Sequence, residues 1–182
     1  MNPIYWDLGD GLVVRTFTPD DAEESFALVD ANRERLRPWM IWEPHTLSPD
    51  DSRAFILRSL ASETDLEGNG MWLDGRLAGG IGMRIDAGDS AGEIGYWVGG
   101  EFEGRGIVTR ACRRFLRFAF EELGLHRMEL CAATGNGRSR AVAERLGMRQ
   151  EGVLRDGVRT PEGFKDLVIY GLLDDEWRAQ QA

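Results

Sequence analysis

Glycines are concentrated in one stretch of the chain, and that stretch has the composition of an anion-binding turn. Gly99, Gly100, Gly104 and Gly106 follow a run of aromatic and β-branched residues and precede a helical apolar pattern. A glycine turn at the start of a helix leaves backbone N–H groups unpaired, and the helix dipole places about half a positive charge behind them. The spacing therefore predicts that residues 104–109 bind an anion.

Two common nucleotide-binding turns do not fit this stretch. The phosphate loop of nucleotide hydrolases needs a Gly-Lys-Ser/Thr ending, and the only lysine of the chain is Lys165. The dinucleotide fingerprint Gly-x-Gly-x-x-Gly would begin at Gly104 and Gly106 but meets Thr109 in place of its third glycine. A pyrophosphate held by the backbone alone is the remaining interpretation.

The residues around the turn resemble the GCN5-related N-acetyltransferases (GNAT), and within them the ribosomal-protein alanine or serine N-terminal acetyltransferases. The family signature Gln/Arg-x-x-Gly-x-Gly/Ala corresponds to Glu101-Phe-Glu-Gly-Arg-Gly106, with Glu101 as the departure. Further motifs of that branch correspond to Gly95-Tyr-Trp97, Asn136-Gly-Arg-Ser139 and Glu144-Arg-Leu-Gly-Met148. The resemblance extends over about residues 10–177.

This resemblance implies acetyl-CoA as the cosubstrate and a primary amine as the acceptor. The amide of Val98 would face the thioester carbonyl, where it would stabilise the developing oxyanion. Asn136 would bind the pantetheine arm or order its own turn. The pyrophosphate would lie on the backbone of Gly104, Arg105, Gly106, Ile107, Val108 and Thr109. The expected acceptor is a protein N-terminus; the alternatives are a small-molecule amine (a polyamine, toxin or antibiotic) and a noncatalytic acyl-CoA sensor.

Three side chains are candidates for proton transfer. Ser139 matches the serine that the branch uses as general acid toward the leaving thiolate, although Ser139 and Asn136 would also suit a helix cap. Glu93 begins the strand that carries Val98 and is the first candidate for the base, with a solvated strand-end carboxylate as the alternative. Asp156, expected in a loop after Leu154, is the second candidate.

Aromatic and basic residues complete the predicted site. Trp39 and Trp42 lie in a proline-bounded loop that either lines an acceptor pocket, as in similar enzymes, or covers the core. Tyr96 is a pocket wall or a core residue. Arginine suits phosphate geometry, so three arginines are candidates for the 3′-phosphate of the coenzyme: Arg110, Arg113 and Arg138.

The elements that must position these residues alternate between helices and strands. The patterns predict a strand, helices, three strands, a helix, a strand, a helix and two strands, which is a mixed α/β domain. The resemblance implies the GNAT acyl-CoA N-acyltransferase fold: one twisted, mostly antiparallel sheet with a splayed strand pair, flanked by helices. We expect a single N-acetyltransferase domain over residues 1–182, with its core at about 10–177.

Composition excludes several other classes. A net charge of −9 opposes binding along nucleic acid, which needs a basic surface. Cys112 and Cys131 form no Cys-x-x-Cys pair, and only His45 and His126 could complete a metal set, so no metal is expected. No apolar run reaches the roughly 18 residues of a membrane helix, and the first thirty residues lack a signal pattern, so we expect a cytoplasmic protein with no membrane partner. A homodimer is the expectation for an enzyme of this size.

Overall fold

One open sheet forms the centre of the molecule. The computed structural model describes residues 3–62 and 65–181, so residues 1–2, 63–64 and 182 of the predicted domain lie outside the described residues. The strands follow the order β1-β2-β3-β4-β5-β6-β8-β7 across the sheet. Their bounds are β1 Tyr5–Asp7, β2 Leu12–Thr16, β3 Asn69–Leu73, β4 Arg76–Asp86, β5 Ala91–Val98, β6 Arg127–Ala133, β7 Arg149–Thr160 and β8 Gly163–Leu173.

Helices pack on both faces of this sheet. Met71 belongs to the large core with Phe115 of α4, whereas its neighbour Trp72 joins a smaller cluster with Ile56 of α3. Because consecutive strand residues point to opposite faces, α4 and α3 lie on opposite sides. The helices are α1 Ala22–Asp30, α2 Arg33–Leu36, α3 Pro49–Ala61, α4 Ile107–Arg117, α5 Gly137–Arg145 and α6 Asp174–Gln181.

The central strands β5 and β6 are parallel, and they separate. All other neighbouring strands are antiparallel. β5 and β6 pair only from Ala91↔Arg127 to Glu93↔Glu129, so the rest of each strand borders a gap. The predicted fold class, a mixed α/β, mostly antiparallel sheet with a splayed strand pair, is confirmed.

Some elements differ from the sequence prediction. The strand β1 and the helix α6 were not predicted, because β1 is too short for a pattern and α6 carries a single buried apolar residue, Trp177. The strand predicted to end at Leu154 continues to Thr160 through a register shift. Asp156 therefore lies in an irregularity within β7, with a φ of 51°, and not in a loop between elements. In the described part of the chain, no helix is long and apolar enough to cross a bilayer.

Candidate active site

The glycine turn, residues 99–109, presents bare backbone at the start of α4. Gly104 and Gly106 have φ values of 72° and 73°, the left-handed region that glycine adopts without strain. A Cβ at either position would meet nothing within 4 Å, so open space lies beside both. Within residues 3–62 and 65–181, the amides of residues 104–109 donate no hydrogen bond; the first bond comes from the N–H of Arg110 to the oxygen of Gly106, at 3.0 Å. These six amides are free to bind an anion.

Two carboxylates in the turn are neutralised by arginines. Glu101, which departs from the family signature, accepts hydrogen bonds from Arg76 at 2.8 and 2.9 Å. Glu103 bridges Arg35 and Arg138. Partial burial raises the pKa of Glu103, but the two guanidinium groups outweigh that effect and hold the pKa below its usual range. The acidic residues therefore do not cancel the positive potential of the helix start.

The arginine candidates for the 3′-phosphate are placed differently from one another. Arg110 donates to the backbone oxygens of Leu8 and Gly9, so the turn between β1 and β2 holds it. Arg113 makes a 3.4 Å bond to the oxygen of Arg145. Arg138 is largely exposed beside the glycine turn, where it pairs with Glu103. Of the three, Arg138 is the one that the structure brings to the turn.

The gap between β5 and β6 opens directly from this turn. The N–H of Gly99 donates to the oxygen of Ala78 at 2.8 Å, and the register places Val98 opposite Gly79. Since N–H directions alternate along an antiparallel pair, the N–H of Val98 points away from β4 and into the gap. An unpaired amide in this orientation can donate to a developing negative charge.

The start of α5 forms the other side of the gap. The side-chain oxygen of Asn136 accepts from the N–H of Ser139 at 3.2 Å, so Asn136 caps the helix. The hydroxyl of Ser139 lies 2.8 Å from the hydroxyl of Tyr96 on β5. Burial, with a smaller contribution from Cys112, raises the pKa of Tyr96 above its usual range, so this phenol stays protonated at neutral pH. Two linked hydroxyl groups therefore span the gap and can supply a proton there.

A cavity of about 610 Å³ adjoins the gap on the α3 side of the sheet. Strand alternation places Glu93, Gly95 and Trp97 on its floor, and all three line it. The indoles of Trp42 and Trp97 meet edge to face with their centroids 5.8 Å apart. Its lining contains most of the residues predicted for catalysis and for the acceptor, together with Asn136, which was predicted to bind the pantetheine arm. The predicted catalytic and acceptor residues in the lining are Trp39, Trp42, Glu93, Tyr96 and Ser139.

The two carboxylates predicted as bases have different surroundings. Glu93 lines the cavity and accepts a 2.7 Å hydrogen bond from Arg84. Asp156 is exposed, and its backbone N–H donates to Asp166 at 2.9 Å. In the described chain Asp156 is not among the residues that line the cavity. The geometry therefore brings Glu93, and not Asp156, beside the gap.

Comparison with known proteins identifies the family. The family model of the acetyltransferase (GNAT) domain matches residues 11–149. The chain belongs to the GNAT acetyltransferase family. The relative YdaF of Bacillus subtilis (strain 168), which carries the provisional name of ribosomal N-acetyltransferase, is 40% identical over 178 residues, covering 96% of this chain and 97% of YdaF.

Two solved structures show the same architecture as this GNAT acetyltransferase. The microcin C7 self-immunity acetyltransferase MccE, solved with acetyl-CoA and AMP, is 27% identical, with a TM-score of 0.85 over 91% of this chain and 94% of MccE. RimL, the ribosomal L7/L12 α-N-protein acetyltransferase solved with coenzyme A, has a TM-score of 0.89 at 19% identity, over 95% of this chain and 99% of RimL. The prediction of a GNAT acetyltransferase of the RimJ/RimL-like branch is confirmed.

Sequence reasoning missed Glu43, which holds the aromatic loop of this GNAT acetyltransferase in place. The aromatic loop comprises residues 39–46. Glu43 is fully buried and accepts bonds from Arg33 at 2.9 Å and Arg37 at 3.0 Å. Burial raises the pKa of Glu43, but the two arginines outweigh it and hold the pKa below its usual range. Arg33 also donates to the oxygen of Thr46 at 2.7 Å, which closes the loop on itself. The lone signal in the sequence is an acid among apolar residues shortly after two arginines.

A second missed residue joins the aromatic loop to the glycine turn. Asn32 is buried where α1 meets α2, and its side-chain oxygen accepts from the N–H of Gly100 at 2.8 Å. Its side-chain nitrogen donates to the oxygen of Leu28, also at 2.8 Å. The chain that enters the aromatic loop is thereby fixed to the turn of this GNAT acetyltransferase.

Proposed function

We propose that this acetyltransferase transfers the acetyl group of acetyl-CoA directly to a protein N-terminal α-amino group within a ternary complex. The observation that carries the proposal is that three features follow one another along the chain: the cavity lined by β5 up to Trp97, the outward N–H of Val98, and the free amides of the glycine turn. The names of YdaF and RimL support a protein N-terminus as acceptor. An α-amino group also asks little of a base, because its pKa is about 7.7 to 8.0 against about 10.4 for lysine.

The backbone would hold the coenzyme. Acetyl-CoA supplies the activated acyl group, and its pyrophosphate would lie on the amides of residues 104–109, where the helix dipole favours an anion. The pantetheine would take the place of the missing strand pairing between β5 and β6, beside Asn136. The N–H of Val98 would stabilise charge on the thioester oxygen, a contribution of about 3 to 4 kcal/mol for one such donor in other enzymes.

Side chains would move the protons. Ser139, hydrogen-bonded to the hydroxyl of Tyr96 at 2.8 Å, would give the leaving thiolate its proton, and the proton that the acylated nitrogen loses would restore the pair of hydroxyl groups. Glu93 would accept the proton of the acceptor ammonium, directly or through water, with Arg84 orienting its carboxylate. Asp156 is the second candidate for this role. Trp39, Trp42 and Tyr96 would form the walls of the acceptor pocket.

The extent of the domain and the oligomeric state belong to the same proposal. A single domain is supported by β1, which pairs with β2, and by α6, which packs on β8, since both ends of the described chain join one sheet. We expect a homodimer because most soluble oligomers are cyclic dimers. Light scattering coupled to size-exclusion chromatography would measure the mass of the protein in solution. A monomer at every concentration would contradict the proposed homodimer.

Binding and turnover test the proposal in sequence. Acetyl-CoA at about 100 times its dissociation constant should stabilise the fold by about 2.7 kcal/mol, which a thermal-shift titration measures. Release of free coenzyme thiol should then depend on peptides that begin with serine or alanine. Spermidine belongs in the same panel, because a charge of −9 favours cationic substrates. Turnover of spermidine alone would assign a small-amine acceptor, and binding with no turnover would assign a sensor.

Two matched variants identify the base. Glu93→Gln and Asp156→Asn each remove one charge without changing the size of the side chain. We expect Glu93→Gln to lower kcat/KM by about 100-fold, which is the lower end of the usual contribution of general acid–base catalysis. Asp156→Asn should have a much smaller effect. A larger loss in Asp156→Asn than in Glu93→Gln would assign the role of base to Asp156. Wild-type activity in both variants would assign it to water alone.

A further inference from the structure

Three glycines lie side by side on the floor of the cavity, and packing explains two of them. Gly80 and Gly82 of β4 stand opposite Trp97 and Gly95 of β5. A Cβ on Gly80 would lie 2.5 Å from the indole nitrogen of Trp97. A Cβ on Gly82 would lie 2.4 Å from the Cα of Glu67. Both positions must therefore be glycine for the surrounding chain to pack.

Gly95 has no such reason to be glycine. A Cβ built on it would meet nothing within 4 Å, and its φ is outside the left-handed region. Glycine in a strand interior weakens the strand, because it is flexible and has no side chain to pack. The fold would accept a Cβ at this position without moving any neighbour.

Gly95 lies on β5 between Glu93, the proposed base, and Val98, whose N–H would stabilise the thioester oxygen. Glu93 and Trp97, two residues to either side, share its face of β5 and line the same cavity. The strand β6 has already separated from β5 after Glu93, so the side of Gly95 that faces β6 borders the gap. An amine that enters from the cavity and approaches the gap beside Glu93 must cross this position.

We propose that Gly95 is a specificity-determining residue whose missing side chain forms the opening through which the acceptor amine reaches the acyl group. This inference rests on the proposed acetyl transfer. It adds that the enzyme selects acceptors by the size of the groups on the carbon that bears the amine. An α-amino group sits on a branched carbon, whereas the terminal amine of spermidine sits on a methylene. A side chain at position 95 should therefore reject the peptide more strongly than spermidine.

The experiment enlarges position 95 in two steps and uses a matched glycine as the control. Gly95→Ala and Gly95→Val add one and three carbons. Gly152→Ala and Gly152→Val are the controls, because Gly152 is also in a strand, a Cβ added to it would also meet nothing within 4 Å, and it does not line the cavity in the described chain. The probes are a peptide that begins with serine, spermidine, coenzyme A, and a conjugate that joins the same peptide through an acetyl bridge to the coenzyme sulfur.

The expected result separates the acceptor from the coenzyme. Gly95→Val should lower kcat/KM for the peptide by about 100-fold, the size of effect that follows from misplacing a reacting group, with a smaller loss for spermidine. Its affinity for coenzyme A should stay within about threefold of wild type, while the extra affinity of the conjugate disappears. The Gly152 variants should match wild type in all four measurements.

Different outcomes contradict the inference and the proposed function. Wild-type kinetics and conjugate binding in Gly95→Val would overturn the role of Gly95 while leaving acetyl transfer intact. An equal loss of coenzyme A affinity would also overturn it, because the opening would then belong to the coenzyme path. A wild-type protein that binds neither coenzyme A nor the conjugate would contradict the proposed function itself.

Discussion

The glycine turn and the aromatic loop are held in position by opposite means. In the turn, two glycines have positive φ and six consecutive amides are left without a hydrogen bond, so in the proposed complex the backbone itself would be the binding group. In the loop, the fully buried carboxylate of Glu43 holds two arginines, and these ion pairs fix the tryptophans that line the cavity. A backbone site tolerates changes of side chain and fails when a Cβ is added. A wall of side chains can change its specificity by substitution, provided that its anchor remains.

The largest expected effect tests whether the backbone of the glycine turn binds the coenzyme. Gly106→Val places a β-branched residue at φ 73°, beside the amides that would hold the pyrophosphate. We expect acetyl-CoA affinity to fall by at least about 100-fold in calorimetric titration, with a strain cost of about 1 to 2 kcal/mol. Gly124→Val is the matched control, since Gly124 has a φ of 66° and equally open surroundings. An equal loss of affinity in both variants would show that strain, and not the turn, decides binding.

The next effect concerns Ser139, which belongs to neither region. Ser139→Ala should lower kcat by about 100-fold, because a positioned general acid contributes at least that much. The cap of α5 uses the side chain of Asn136 and the N–H of Ser139 and survives the change, but the hydroxyl of Tyr96 loses its 2.8 Å partner, so unfolding free energy should fall by about 1 kcal/mol. Steady-state kinetics and urea unfolding measure the two quantities. An unchanged kcat would transfer the role to Tyr96, which Tyr96→Phe then tests.

Removal of the Glu43 carboxylate tests whether its ion pairs hold the aromatic loop. Glu43→Gln leaves Arg37 without its charge partner and Arg33 with Asp30 alone, and we expect a loss of about 2 kcal/mol in unfolding free energy at pH 7, less than for a pair buried on both sides. The peptide KM should rise while acetyl-CoA affinity stays nearly constant. A fall in acetyl-CoA affinity of the same size would break the comparison, because the two regions would then share one anchor.

The pH dependence of the same variant follows from the lowered pKa of Glu43. A carboxylate whose pKa is lower in the folded state stabilises the fold above its unfolded value of about 4.3, and this contribution is lost as pH falls through the folded pKa. The difference between wild type and Glu43→Gln should be largest near neutral pH and disappear in acid. Urea unfolding at a series of pH values measures it, and a difference that persists in acid would contradict an ionised anchor.

The smallest expected effect separates a cap from a binding group. Asn136→Ala removes the acceptor of the Ser139 N–H and should cost about 1 kcal/mol of stability. If Asn136 acts only as a cap, acetyl-CoA affinity stays as in wild type. If the binding free energy of acetyl-CoA falls by more than the unfolding free energy, Asn136 also contacts the coenzyme.

The sequence predicted the local features of the molecule and missed the contacts between distant segments. Glycines at fixed spacing before an apolar periodicity are sufficient to indicate the turn, because its geometry depends on a few consecutive residues. The same holds for the hairpin between β3 and β4, where Asp74 and Gly75 have the positive φ values that an Asp-Gly pair adopts in a two-residue turn. The bond between Asn32 and Gly100 and the bond between Tyr96 and Ser139 join residues far apart in the chain. Periodicity carries no information about such pairs.

The separation of β5 from β6 leaves two strand edges open in the middle of the sheet. Edges at the rim of a sheet can be covered by charge or by another segment, but an interior pair needs something between them. In the proposed complex the pantetheine arm is that filler, so the acyl donor completes the architecture as well as the reaction. The lifetime of this fold in a cell would then follow the local supply of its own acetylating agent, since a ligand that binds only the folded state raises its stability.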